Sequence, residues 1–123
     1  MWQQALWVAL GGALGSVGRF LIGHYAKQWW PGLFPWGTLI ANVLGALLIG
    51  LFLGLFTRGQ LNDTGRLLLM TGFCGGFTTF STFAQENLAL LRDGQYGMAA
   101  LYLGMSLLAG IGAVAFGMAV SRA

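Results

Sequence analysis

Four long apolar runs separated by three short polar interruptions make up the chain, and that pattern predicts four helices. The runs cover roughly residues 4–23, 37–56, 67–91 and 97–120, each close to the ~20 mostly apolar residues that a helix needs to cross a bilayer core. The interruptions are His24 to Trp36, Thr57 to Arg66 and Arg92 to Tyr96. Pro31, Gly32 and Pro35 punctuate the first of them as a turn. Trp2 and Trp7 at one end of the first run, and Trp29, Trp30 and Trp36 in the first loop, stand where interfacial aromatics mark span ends. The first run resembles a signal sequence in position only: its leading end carries no Lys or Arg and its apolar stretch is long. A retained span is expected.

The third run is the longest because it is not uniform. Within it, Thr71-Gly72-Phe73-Cys74-Gly75-Gly76-Phe77-Thr78-Thr79-Phe80-Ser81-Thr82-Phe83 sets a Gly-Gly pair among five hydroxyl residues. Backbone groups inside a bilayer must find internal partners, so this composition predicts a helix broken at membrane depth. Such breaks line pathways or hold ions.

Composition fixes the compartment and excludes several functions. Of 123 residues, 57% are hydrophobic and 7% charged, against roughly a quarter charged in soluble domains. A small soluble domain cannot hide that much apolar surface. One all-α membrane domain over residues 1–123 is expected. The net charge of +3 comes from six scattered basic residues, which is not the clustered stripe that nucleic acid requires. Cys74 is the only cysteine, so no intrachain disulfide forms, and it reads as a small buried apolar residue. No nucleophile–base pair or metal-ligand spacing suggests an enzyme.

The arginines and lysines give no clear orientation. With four spans, Arg58, Arg66 and Arg122 fall on one side, and Lys27 and Arg92, with Arg19 near a span end, on the other. Orientation follows the Lys/Arg asymmetry, and here it is nearly even. The expectation is dual topology, with copies inserted both ways up and paired antiparallel. Small residues at helical spacing, Gly11 and Gly15, Ala46, Gly50 and Gly54, Gly110 and Gly117, suit close helix contacts.

Several polar residues stand out in the apolar runs. Asn42 shares a helix face with Thr38, four residues earlier. Two readings are open for it: a hydrogen-bonding link between helices, or an anion ligand through its NH₂ donors. Phe80 and Phe83 lie on one helical face, with Thr79, Thr82 and Glu86 on an adjacent one. Phenyl edges are positive, so the pair either packs as ordinary aromatics or cradles a small anion beside the hydroxyls. Glu86 is the one acidic residue placed within a span, functional by default at membrane depth or hydrated near the loop. Arg19 either snorkels to the interface or attracts anions to a vestibule. Tyr102 and Ser106, at i and i+4, offer two hydroxyls on one face or a packing bond to a neighbour. His24 reads as a solvated turn residue.

These residues resemble the Fluc (CrcB-type) fluoride channels of microbial membranes. The likeness rests on the third-run segment quoted above, on Pro35-Trp36-Gly37-Thr38-Leu39-Ile40-Ala41-Asn42, and on Gly11-Gly12-Ala13-Leu14-Gly15 followed by Arg19. It extends over the whole chain and is weakest in the fourth run. The resemblance implies an antiparallel homodimer in the plasma (inner) membrane with two fluoride pores, each built from both chains. By position it makes Phe80 and Phe83 the pore phenylalanines and Asn42 a pore donor, and puts Thr79, Ser81 and Thr82 where the family has pore hydroxyls. Gly75 and Thr78 would hold a central Na⁺ through backbone carbonyls. Arg19, Thr38, Glu86, Tyr102 and Ser106 would line vestibules or a polar track. The role implied is passive fluoride export.

Two other readings compete. A proton-coupled small multidrug transporter shares the size and the dual topology, but needs a carboxylate deep in the first span, where this chain has none. A non-conducting structural subunit explains the glycines and phenylalanines but not the hydroxyls gathered at a break.

Overall fold

The computed structural model describes residues 1–122. Helix α1 runs Trp2–Trp29 and α2 Trp36–Thr57. The third span is composite: α3 (Asp63–Gly65), a π-helical stretch (Arg66–Cys74), α4 (Gly75–Phe77), an extended step at Thr78 and Thr79, and α5 (Phe80–Arg92). Helix α6 (Tyr96–Arg122) closes the chain. By length and apolar content α1, α2, the composite segment Asp63–Arg92 and α6 can each cross a membrane. The chain is a multi-pass membrane protein with its third helix broken.

The spans extend past the apolar runs that predict them. The largest difference is at α1, which continues through His24 to Trp29, where a loop was expected. Residues 24–29 contain no breaker, and the helix stops only ahead of Pro31 and Gly32, whose φ of +138° needs a glycine. His24 is accordingly a helical residue in hydrogen-bond contact with Gln28 at 3.2 Å, not a turn residue. The two later loops close with the same device. Gly59 and Gly94 take φ of +76° and +75° and donate to the Phe56 and Leu91 carbonyls, while Gln60 and Gln95 reach back to Leu55 and Leu90. These are Schellman caps, which satisfy the last carbonyls of a helix through a left-handed glycine.

Glycine sets the helix spacing. A Cβ on Gly11 or Gly15 would run into backbone atoms of Leu68, Gly72, Phe73 or Phe77, and one on Gly76 would meet the Gly12 backbone. Helix α1 therefore lies directly on the backbone of the third span, as small residues permit where no side chains intervene. Gly50 and Gly117 bring α2 and α6 together in the same way. Of the small residues singled out from the sequence, Gly110 makes no such contact.

The buried core is small. Leu39, Leu90, Ala99 and Tyr102 form it, with Phe34, Val43, Phe83, Met98 and Met105 packed around them. Much of the apolar remainder faces outward, including Leu6, Leu10, Leu14 and Val17 on α1 and Leu101, Leu108, Ile111 and Phe116 on α6. Lipid is the solvent that tolerates such a surface.

Candidate functional site

The break in the third span organises the site. Thr78 and Thr79 leave the helix with ψ of 155° and 121°, which strips nearby backbone groups of their helical partners. Side chains from two other helices replace them. Asn42 on α2 donates from Nδ2 to the Thr79 carbonyl at 3.1 Å, and its Oδ1 accepts from the Thr79 N–H at 2.8 Å. Arg19 on α1 donates from Nε to the Gly76 carbonyl at 3.2 Å. Thr79 also caps α5 itself, its Oγ1 accepting from Thr82 N–H at 3.3 Å, the ordinary task of a threonine N-cap.

This exchange has a residue. A continuous helix would send Thr79 N–H to the Gly75 carbonyl and Thr82 N–H to the Thr78 carbonyl. Both donors go elsewhere, which releases the Gly75 and Thr78 carbonyls. These two residues line a shared recess of about 360 Å³ with Gly45, Ala46, Ile49, Met70, Thr71, Cys74 and Val114. Nothing lies within 4 Å of where a Gly75 Cβ would be, so this face of the single chain is bare. Cys74 beside it is 1% exposed, the small buried residue expected.

A larger cavity, about 660 Å³, opens on the other side of the break. Thr38, Thr79, Thr82, Glu86 and Arg19 line it, together with His24 and Lys27 on α1, Asp93 past α5, and Trp30, Phe34 and Trp36. The structure thus brings five of the sequence-derived polar candidates into one vestibule. The vestibule carries both signs: Arg19 and Lys27 against Glu86 and Asp93. The hydroxyls gather at its floor. Thr79 Oγ1 contacts Thr82 Oγ1 at 3.2 Å and Ser81 Oγ at 3.5 Å.

Beside this floor the aromatics form a chain. Phe80 and Phe83 have ring centroids 6.0 Å apart, Phe83 and Tyr102 5.0 Å, and Tyr102 and Phe34 5.5 Å. Phe83 is half-buried against the core, whereas Phe80 is 79% exposed. Tyr102, wholly buried, donates to Glu86 Oε1 at 2.9 Å and has the Thr38 hydroxyl within reach. Ser106, one turn further along α6, has a buried Oγ without a hydrogen-bond partner among the described residues. Phe80, Ser81, Asn42, Tyr102 and Ser106 do not line the vestibule, and Gly75 and Thr78 open on the separate recess.

Sequence reasoning missed the partners of the break. That Asn42 and Arg19 serve its backbone follows from contacts between residues 37 and 57 positions apart. The signal available was the break itself, which leaves groups in need of donors and acceptors at membrane depth. His24 and Lys27 were also missed as vestibule residues, because α1 was expected to end before them.

A four-span bundle with a broken third helix and a vestibule lined by charged and hydroxyl side chains has the architecture of a small membrane transport protein. Residues 6–118 match the family described as CrcB-like protein, Camphor Resistance (CrcB), and the chain belongs to that family. It is 46% identical over 122 residues to a protein of Nitrobacter winogradskyi named fluoride-specific ion channel FluC, covering 98% of this chain and 97% of that one. A protein of the same name from Opitutus terrae is 52% identical over 97 residues, 76% of this chain and 74% of the relative. Another from Rhizobium etli is 45% identical over 122 residues.

Proposed function

We propose that the chain is a fluoride-selective channel that passively exports fluoride and works as an antiparallel homodimer with two pores. The observation that carries this reading is the joining of hydroxyls and phenyl rings at a helix break whose Gly76 and Thr79 backbone groups are satisfied by side chains of other helices. Fluoride is small and tightly hydrated, so a pore must replace its water with donors and positive edges. Thr79, Ser81 and Thr82 supply hydroxyl donors, Asn42 keeps one amide hydrogen beyond the one given to Thr79, and Phe80 and Phe83 supply ring edges. Arg19 and Lys27 draw anions into the vestibule; Glu86, held by Tyr102, lines it from α5, while Tyr102 and Ser106 form a polar track on α6 behind that lining.

Support for a second chain comes from what one chain leaves open. Phe80 is mostly exposed and the recess at Gly75 is bare, which suits walls completed by a second copy. The nearly even Lys/Arg balance favours insertion both ways up. The released Gly75 and Thr78 carbonyls fit a hard cation, which collects oxygen ligands. Two per chain call for a second copy across the recess, and Na⁺ held there would tie the two chains at their midline. The carbonyls would serve this structural ion and the side chains the permeating anion. Hydrogen fluoride enters a cell as a neutral acid and dissociates, and the negative interior then drives the anion out.

Purified protein in liposomes, loaded with fluoride and monitored with an ion-selective electrode against a chloride control, tests the reading. Fast fluoride efflux with little chloride efflux is expected. Drug–proton exchange would instead make the protein a multidrug transporter, and no flux from folded protein would leave a structural subunit.

A further inference from the structure

The recess that holds the released carbonyls contains one more oxygen. Thr71, on the π-helical stretch, is exposed and lines this recess with Gly75 and Thr78. A hydroxyl at membrane depth usually bonds back to the carbonyl four residues before it, as Thr78 does to Cys74 at 2.9 Å and Thr57, three residues on, does to Gly54. No such bond forms at Thr71, whose Oγ1 has no hydrogen-bond partner among the described residues. The wall around it is otherwise apolar: Met70, Ala46, Ile49 and Val114. A hydroxyl without a protein partner is therefore left in an otherwise apolar groove.

Its position limits what it can do. Thr71 precedes Gly75 by one turn, about 5 Å along the helix axis, and helical carbonyls point away from it toward the C-terminal end. It is thus too far back to share an ion with the Gly75 and Thr78 oxygens. It lies instead between those oxygens and the end of the span at Asp63. We propose that Thr71 is the polar step by which the cation reaches the carbonyl site, its hydroxyl replacing a water of hydration as Na⁺ moves along the apolar recess. This rests on the sodium reading above and adds to it an access path and a side from which the ion loads. Thr71 sets the rate of loading and not the affinity.

The test is capture of ²²Na⁺ by sodium-stripped protein in detergent, followed with time on short desalting columns. Wild type and Thr71→Ser, which keeps the hydroxyl, load at the same rate. Thr71→Val, of nearly the same shape, loads at least about tenfold more slowly to the same final level. Loading of Thr71→Val as fast as wild type overturns the proposal while leaving the sodium site intact, and so does a lower final level at unchanged rate, which would make Thr71 a ligand. Wild type that captures no ²²Na⁺ removes the sodium site and this proposal together.

Discussion

Asn42 and Thr79 hold each other twice, the amide nitrogen giving to the Thr79 carbonyl at 3.1 Å and the amide oxygen taking its N–H at 2.8 Å. No other side chain type of this size offers one donor and one acceptor in that geometry. Asn42→Asp keeps the acceptor and turns the donor into a second oxygen facing a carbonyl. We expect fluoride efflux from liposomes to fall by about tenfold or more, with stability lower by about 1–3 kcal/mol for the broken bond. Undiminished efflux would leave Asn42 with a packing role alone.

Phe83 stands between Phe80 and Tyr102 in the aromatic chain. Phe83→Ile keeps an apolar side chain against the core but removes the positive ring edge. The expected outcome is loss of fluoride efflux with a stability change below about 1.5 kcal/mol, the usual range for near-volume-conserving swaps. Efflux assays and thermal melts on one preparation separate the two effects.

Adjacent glycines in the break should behave oppositely. Gly76→Ala drives a Cβ against the Gly12 backbone, whereas Gly75→Ala meets nothing within the chain. Gly76→Ala is therefore expected to unfold the bundle or cut its expression, with a cost of about 1–3 kcal/mol or more for overpacking. Gly75→Ala should leave the helical content seen by circular dichroism unchanged and shift the dimer toward monomer in size-exclusion chromatography. A Gly75→Ala dimer as firm as wild type would show that no second chain lies on the recess.

Tyr102→Phe takes one oxygen from the pair that buried Tyr102 makes with half-buried Glu86. The loss should be about 1.5–3 kcal/mol, typical of a hydrogen bond to a carboxylate, and flux should drop severalfold because Glu86 is freed to swing in the vestibule. Equal flux in wild type and variant would mean that the Glu86 position does not matter to the anion.

How much of this was legible in the sequence depends on the range of the interaction. The four apolar runs, the turn at Pro31 and Gly32 and the weakened third helix follow from local composition, and the structure has all of them. Residues 24–29 read as a loop because they are polar, yet polarity does not end a helix; the next breaker does. The π-helical course of Arg66–Cys74 has no periodic signature, since an apolar stretch facing lipid and glycine alike looks the same at any pitch. Thr71 drew no separate notice for the same reason. Of the vestibule residues, Thr79, Thr82 and Glu86 share a helical face legible from their spacing, whereas Thr38 and Arg19 come from two other helices and could be joined to them only through resemblance.

The interruption of the third span is held open from outside. Asn42 and Arg19 belong to other helices, and without them the backbone of Gly76 and Thr79 would recover its bonds by closing into a continuous rod. A peptide of residues 63–92 alone in a micelle should therefore be straighter than the same residues in the bundle. The discontinuity is thus a property of the assembled bundle rather than of the segment that contains it, since groups on α1 and α2 hold two of its residues.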